Sequence, residues 1–155
     1  MLVTVYSGGQ TGVDRAALDV AIELGLPYGG WIPKGRLAED GTIPAAYDSL
    51  RETDSVDYAV RTKRNVRDTD ATLLLTFGPP HGGTLFTRDV AAKLGRPMME
   101  LDLASLNIGD STPKIREWLR TLGAQVRVNV AGPRASQAPD AYERARELLL
   151  AALRA

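Results

Sequence analysis

The chain has 155 residues with no cysteine, a single histidine, and equal numbers of basic and acidic residues, 19 of each. This composition excludes disulfides, thiolate chemistry and metal sites built from cysteine or several histidines. The zero formal charge argues against a nucleic-acid or membrane-surface partner, and no segment reaches the roughly 18 continuous apolar residues of a transmembrane helix. No signal peptide is visible, so we expect a cytoplasmic protein, with one domain over residues 1–155.

The first predicted unit is a buried strand over 2–6, a glycine-rich turn over 7–12 and a helix over 13–24. We expect Thr11 to cap the helix, with Asp14 three residues later as an acidic variant of the capping box. A turn of this kind can present backbone N–H groups to an anion at the helix N-terminus. The alternative is that its glycines only form a tight connection.

An irregular, glycine-rich segment follows over 27–44. Loops of this length are usually functional or disordered, and disorder fits poorly with Trp31 and Ile43, which favour burial. Lys34 and Arg36 are candidates to close over an anion, and the alternative is that both are simply solvated. The sequence assigns no role to this segment.

The next unit is a helix over about 56–68, capped by Asp54 or Ser55, and then a short apolar strand over 71–77. The second half of the helix is basic, which complements its C-terminal dipole. The apolar run is typical of a strand that is buried on both faces of a parallel sheet.

A second glycine turn over 78–84 repeats the pattern of the first. A buried strand precedes it, Thr84 stands at the expected cap position, and a helix follows over 85–94. This repetition is the main internal evidence for a ligand site made of two parts. A further strand is predicted over 98–101.

The C-terminal part of the chain continues the alternation of helices and strands. Thr112 and Pro113 are expected to begin a helix, because a cap residue followed by proline is a common start. The strand over 125–131 alternates apolar and polar residues, which favours a position near an edge of the sheet. A turn over 132–136 leads into the last helix.

This alternation predicts an α/β fold: a single doubly wound, mainly parallel sheet with helices on both faces. In such sheets, ligands bind outside the carboxyl ends of the strands. The turns over 7–12, 78–84 and 132–136 all follow strands, so we expect them to share that edge.

The chemistry of the site is only partly specified. No Walker loop occurs, and Gly8, Gly9 and Gly12 lack the G-x-G spacing of the dinucleotide fingerprint. Three glycine turns at one edge, with basic residues nearby, indicate a phosphorylated ligand. Asp14 and Asp89 are weak catalytic candidates, since capping, ion pairing or exposure explains each equally well.

Several short motifs of this chain occur in the same order in one protein family. They lie at 7–17, 29–36, 38–41, 51–53, 61–66, 70–72, 82–84 and 129–134. They resemble the molybdenum carrier (molybdenum cofactor carrier-like) family. The resemblance implies a Rossmann-like fold, in a superfamily shared with lysine-decarboxylase-like proteins and cytokinin-activating phosphoribohydrolases. It also implies a homo-oligomer, dimer or tetramer. Some relatives bind and protect the molybdenum cofactor, a phosphorylated pterin that holds the metal on its own dithiolene, so no protein-ligated metal is expected.

One departure from the wider superfamily bears on catalysis. The phosphoribohydrolases carry P-G-G-x-G-T-x-x-E in the second glycine loop, whereas this chain has Thr87 at the position of that catalytic glutamate. A phosphate site can survive this change while the group that assists N-glycosidic cleavage is missing. The sequence therefore favours binding over hydrolysis.

Two hypotheses remain from the sequence. The first is a binding or carrier protein for a small phosphorylated, nucleotide-like ligand, with the molybdenum cofactor as lead candidate and cargo. The second is a hydrolase of nucleoside monophosphates that uses Asp14 or Asp89, and a nucleotide sensor lies between the two. We expect replacement of Gly9 by a bulky residue to abolish binding and leave the fold intact. The predicted ligand-binding residues are Ser7, Gly8, Gly9, Gln10, Thr11, Gly12, Lys34, Arg61, Asn65, Gly82, Gly83, Thr84, Asn129, Gly132 and Arg134.

Overall fold

The computed structural model describes residues 1–155 and contains a central sheet of five parallel strands with helices on both faces. The predicted α/β, Rossmann-like fold is confirmed. The strands are β1 (Leu2–Tyr6), β2 (Tyr28–Gly29), β3 (Trp31–Ile32), β4 (Leu37–Ala38), β5 (Gly41–Thr42), β6 (Arg51–Glu52), β7 (Ala71–Thr76), β8 (Met98–Asp102) and β9 (Gln125–Ala131). The helices are α1 (Val13–Leu24), α2 (Tyr58–Arg67), α3 (Gly82–Leu94), α4 (Ile108–Leu122) and α5 (Ala141–Leu153).

The order of strands in the sheet is β2-β1-β9-β7-β8. The last strand of the chain is therefore the central one, paired with β1 on one side and β7 on the other. If the strands are renumbered from β9 as though the chain ends were joined, the order becomes 3-2-1-4-5, which is the start of the Rossmann order.

The predicted edge position of β9 is wrong. Its exposed polar residues, Gln125 and Arg127, lie at the beginning of the strand in an open groove, where the Arg127 N–H donates to the Asp70 carboxylate over 2.8 Å. Further along the same strand Asn129 is buried. The alternating pattern thus reflects one exposed end of a central strand, not an exposed edge.

Two apolar cores hold the layers together. The larger core lies between the sheet and α1, α4 and α5, and α5 packs against both of the other helices. A smaller core on α2 and α3 consists of Val66, Val90 and Ala91. Every residue of β7 is buried, as expected for a strand covered on both faces. None of the helices is long and apolar enough to cross a membrane.

The irregular segment after β2 forms two small sheets, one pairing β3 with β6 and one hairpin of β4 with β5. Ile32, Ile43 and Leu50 are buried against Leu18 of α1 in a third apolar cluster. The expected burial of Ile43 is confirmed, and Trp31 is half-buried. The segment is therefore an ordered layer over the N-terminal part of the fold.

Three predicted helix starts are wrong, and in α2 and α4 the reason is that another side chain forms the cap. Asp57, not Asp54 or Ser55, accepts from the Ala59 N–H at the start of α2 over 2.9 Å. The helix predicted to begin at Thr112 begins at Ile108, where Asn107 accepts from the Asp110 N–H, and Pro113 lies inside it. Helix α3 begins at Gly82, so Thr84 lies in its first turn and is not the cap.

Candidate functional site

A pocket of about 310 Å³ opens at the carboxyl ends of the central strands. It lies between the loops that follow β1, β9 and β7, and helix α2 forms its remaining wall. In the renumbered order this is the topological switch point, where ligands bind in open α/β sheets. Its lining consists of Gln10, Asp14, Tyr58, Ala59, Arg61, Thr62, Gly82, Gly83, Thr84, Phe86, Thr87, Ala131, Gly132, Arg134 and Gln137.

The N-terminus of α3 supplies backbone donors to this pocket. The first N–H groups of a helix have no intrahelical acceptor, and the Leu85 N–H is the first in α3 to bond back, to the His81 carbonyl over 3.3 Å. The preceding residues Gly82, Gly83 and Thr84 line the pocket. Together with the helix dipole, these N–H groups form an arrangement that favours a bound anion.

Two arginine side chains in the lining have hydrogen-bonding capacity to spare. Arg61 donates through Nη1 to the Thr62 hydroxyl, while its buried Nε has no partner. Arg134 likewise has a buried, unpartnered Nε, and Glu39 Oε2 lies 3.5 Å away. Both guanidinium groups therefore keep N–H donors that form no hydrogen bond within the protein.

Asp14 is a buried acidic residue in the same pocket. Burial raises the pKa of its carboxyl group to about 6, although Arg61 and the Gln10 N–H act in the opposite direction. Arg61 Nη2 lies 3.9 Å from Asp14 Oδ2, and the Gln10 N–H donates to the same oxygen over 3.2 Å. The pocket therefore contains an acid that changes its charge close to neutral pH.

The glycine turn over 7–12 differs from the expected anion cradle, because most of its donors are used within the protein. The Ser7 hydroxyl donates to the Asp14 carbonyl over 2.8 Å and accepts from the Gly9 N–H. The Thr11 N–H donates to the Gln10 side-chain oxygen. Of the turn, only Gln10 lines the pocket, while Gly8 packs beneath the Arg61 side chain.

Gly9 and Gly12 serve the packing of this turn. Gly9 has a φ of 73°, and a Cβ there would lie 2.9 Å from Ile43 Cδ1, so a bulky replacement would disturb the third apolar cluster. We therefore expect a bulky residue at Gly9 to strain the fold, and the effect on binding must be measured together with stability. Gly12 has a φ of 80°, and a Cβ there would collide with the Pro133 carbonyl oxygen.

Thr11 is not a helix cap. The N-cap position of α1 is Gly12, which has no side chain to form a cap hydrogen bond. The Thr11 hydroxyl instead donates to the Glu39 carboxylate and accepts from the Ala135 N–H over 3.1 Å. It joins the loop after β1 to the loop after β9.

Four other predicted site residues lie outside the pocket lining. Lys34 and Asp89 are exposed at the surface. Asn65 accepts from the Trp31 N–H over 2.7 Å and donates to the Trp31 carbonyl over 3.0 Å, so it fastens β3 to α2. Asn129 donates to the Thr72 hydroxyl in the interior of the sheet. These hydrogen bonds hold both asparagine amides against other parts of the protein and not toward the pocket.

Several lining residues were not predicted from the sequence. Tyr58 lies three residues before Arg61 and Thr62 lies one residue after it, so all three side chains share one face of α2. This spacing could have identified Tyr58 and Thr62 as lining residues. Thr87 is buried and donates to the Gly83 carbonyl over 2.9 Å. No comparable spacing in the sequence identifies Phe86 or Gln137 as a lining residue.

A second, much smaller cavity of about 10 Å³ lies beneath Arg61. A space of this size holds about one water molecule when its walls are polar. Its lining comprises Gly8, Asp14, Arg61, Thr62, Asn65, Thr87, Asn129 and Ala131. Asn65 and Asn129 thus lie under the pocket floor.

The site as a whole is suited to binding an anion. A helix N-terminus and two arginines face one pocket, and the predicted residues Gln10, Arg61, Gly82, Gly83, Thr84, Gly132 and Arg134 meet there. No group of three or more histidine, cysteine, aspartate or glutamate side chains is arranged to hold a metal ion.

Comparison with known proteins agrees with this architecture. Residues 5–153 match the model of the circularly permutated YpsA SLOG family. The structure is similar to the crystal structure of a "putative molybdenum carrier protein" from Syntrophus aciditrophicus SB, with 43% sequence identity and a TM-score of 0.93. The alignment covers 98% of this chain and 95% of the other. Among proteins with curated descriptions, none matches the chain.

These matches extend over nearly the whole length of the chain, and the permutation agrees with the central position of the last strand. The resemblance to molybdenum carrier proteins that the motifs indicated is confirmed. The chain belongs to the circularly permutated YpsA SLOG family.

Proposed function

We propose that this protein binds a small phosphorylated, nucleotide-like ligand in the pocket at the switch point. The observation that carries the proposal is that the Arg61 guanidinium and the start of α3, whose first N–H groups have no intrahelical acceptor, line the same pocket. A phosphate oxygen would satisfy both sets of donors at once. Arg134 on the opposite wall adds a second positive charge.

The molybdenum cofactor is the lead candidate for this ligand, as cargo of a carrier protein. The 43% identical Syntrophus protein carries the molybdenum carrier name, which supports this choice. The cofactor is a phosphorylated pterin, so its phosphate would bind at Arg61 and α3. Because the cofactor holds molybdenum through its own dithiolene, the lack of cysteine in this chain is compatible with the role.

Nucleotide hydrolysis is the second candidate, favoured by the position and raised pKa of Asp14. Asp14 is the one carboxylate in the lining, since Thr87 occupies the position of the phosphoribohydrolase glutamate. It would have to act as the general base despite the Arg61 guanidinium at 3.9 Å. The binding proposal predicts that nucleoside monophosphates incubated with the protein are recovered unchanged, without released base or phosphate.

The binding proposal is tested by thermal denaturation with a panel of nucleoside monophosphates, pterin phosphates and inorganic phosphate. A ligand present at about 100 times its Kd should stabilise the fold by about 2.7 kcal/mol. Arg61→Gln should abolish this stabilisation, because it removes the positive charge beside α3. The matched control Arg120→Gln, on the exposed face of α4, should keep it.

Stabilisation by no member of the panel, or equal stabilisation of the Arg61 variant, would contradict phosphate binding. The cofactor assignment has its own experiment, in which the protein is loaded in a cofactor-containing extract, purified again and mixed with an apo molybdoenzyme. Activation of that enzyme is expected. Its absence, with phosphate binding intact, would point to a different phosphorylated cargo.

A further inference from the structure

The hairpin of β4 and β5 contacts both loops that flank the pocket. Its tip consists of Glu39 and Asp40. The Asp40 carboxylate forms a bidentate ion pair with Arg15 of α1, with distances of 2.5 and 2.8 Å. Glu39 lies between the loop after β1 and the loop after β9, and it is held there by hydrogen bonds of its own N–H and carboxylate.

The backbone of Glu39 orients the Gln10 side chain. Gln10 Oε1 accepts from the Glu39 N–H over 2.9 Å and from the Thr11 N–H over 3.1 Å. Both donors are backbone groups, so they settle which end of the amide is the oxygen. The Gln10 amide nitrogen is left as a donor in a residue that lines the pocket.

The carboxylate of Glu39 joins the loop after β9 to the loop after β1. It accepts from the Ser136 N–H over 3.1 Å, from the Ser136 hydroxyl and from the Thr11 hydroxyl. Burial opposes ionisation, but these hydrogen bonds and Arg134 together lower the pKa of Glu39. The carboxylate is therefore charged at neutral pH.

Arg134 depends on this carboxylate for its orientation. Glu39 is the acidic residue within 4 Å of the Arg134 guanidinium, at 3.5 Å from Nε to Oε2. The Nε has no hydrogen-bond partner. An arginine beside a pocket is a natural phosphate ligand, provided that a nearby group restrains its side chain.

We propose that Glu39 is a positioning residue, which holds the Gln10 amide and the Arg134 guanidinium on the adjacent loops after β1 and β9, ready for an anionic ligand in the pocket. The inference rests on the proposed function and extends it. It also gives a role to the segment between β2 and α2, which the sequence left unassigned.

The test uses Glu39→Asp, which keeps the negative charge but shortens the side chain by one methylene. The first readout needs no ligand: the Nε–H resonance of Arg134 in an NMR spectrum, ordered in the natural protein and averaged in the variant. The second is the affinity for inorganic phosphate and for 5′-GMP by calorimetry. We expect Glu39→Asp to weaken binding about tenfold, a change of about 1.4 kcal/mol.

Two controls separate positioning from general loss of the hairpin. Asp40→Asn breaks the Arg15 pair at the same tip and should leave the affinity within about twofold, with the melting temperatures of all variants measured alongside. When Arg134 is already replaced by glutamine, Glu39→Asp should weaken binding by clearly less than in the natural protein, because the guanidinium that Glu39 positions is absent.

Each result bears on one claim. An unchanged Arg134 resonance, an unchanged affinity, or an equal loss in Asp40→Asn would overturn the positioning role. If neither probe binds the natural protein, the proposed function fails, while the Arg134 resonance still decides whether Glu39 holds this side chain.

Discussion

Asp14 is the residue whose environment is most costly. Its carboxyl group is buried, and burial raises the pKa to about 6 from 3.8 in spite of Arg61. The folded state therefore binds the proton more tightly than the unfolded state. Stability from this group is present at low pH and is lost as the pH rises from about 4 through 6, by about 3 kcal/mol in total. A group that destabilises the fold at neutral pH is typical of a functional site.

Replacing Asp14 by asparagine should remove this pH dependence. The Gln10 N–H keeps an acceptor in Asp14→Asn, and no charge has to be buried when the pH rises. The variant should therefore gain about 3 kcal/mol of unfolding free energy relative to the natural protein between pH 4 and pH 8. Urea denaturation at several pH values measures this difference.

The exposed Asp54 provides the control for this measurement, since its side chain lies at the surface beside Arg64. Asp54→Asn should follow the pH dependence of the natural protein. A constant difference between Asp14→Asn and the natural protein across the range would show that Asp14 titrates near its ordinary pKa.

At the scale of elements, Asn65 joins α2 to the layer that covers the N-terminal part of the fold. Its side chain bonds both the N–H and the carbonyl of Trp31, and Arg64 stacks on the Trp31 ring at 4.9 Å. The two hydrogen bonds satisfy backbone groups of β3. Helix α2 thus holds Arg61 in the pocket and the irregular segment in place.

Removing the Asn65 side chain should destabilise the fold without removing a ligand contact. Asn65→Ala leaves two Trp31 backbone groups unpaired, which should cost about 2–4 kcal/mol of unfolding free energy. Asn107→Ala, which removes the cap of α4, should cost only about 1 kcal/mol. Equal losses in denaturant titrations would show that the Trp31 bonds are replaced by water.

The elements were predictable where local pattern decides them, as in α1, whose apolar residues recur with the helical period, and in β7, which is a continuous apolar run. Features that depend on contacts between residues distant in the sequence could not be predicted in this way. The turn over 7–12 was predicted to bind an anion through its donors. In the structure the Gln10 N–H donates to Asp14, the Thr11 hydroxyl donates to Glu39, and Gly9 packs against Ile43. Of the site, the second glycine loop and Arg134 were found because they adjoin strand ends on the shared edge, whereas Arg61, in the middle of α2, was found through the family resemblance.

At the scale of the whole molecule, the strand order carries information that no local pattern holds. The alternation in β9 gave the wrong position because lateral order in a sheet depends on which strands pair, not on the residues of one strand. In the renumbered order α5 connects β9 to β1, which are neighbouring parallel strands, so we expect its end to lie near the start of β1. Arg116 of α4 also bonds carbonyls at the end of α5.

A circular permutant is therefore expected to fold. The new chain would begin at Ala124 and end at Gly123, with Ala155 joined to Met1 through about six glycine and serine residues, a common length for such connections. Every strand keeps its neighbours, so its phosphate affinity should equal that of the natural order. A permutant cut inside β7, which interrupts a strand buried on both faces, should fail to fold. Circular dichroism and calorimetry of both chains test this expectation.

The central position of β9 also has a consequence for the time at which the protein folds during synthesis. Until residues 125–131 have left the ribosome, β1 and β7 have no strand between them, and each presents an unpaired edge. Strand β1 then pairs with β9, which lies more than a hundred residues later in the chain. Contacts between such distant segments form slowly. Folding of the sheet must wait for the last fifth of the chain, and a nascent chain stalled before that point is exposed to edge-to-edge aggregation.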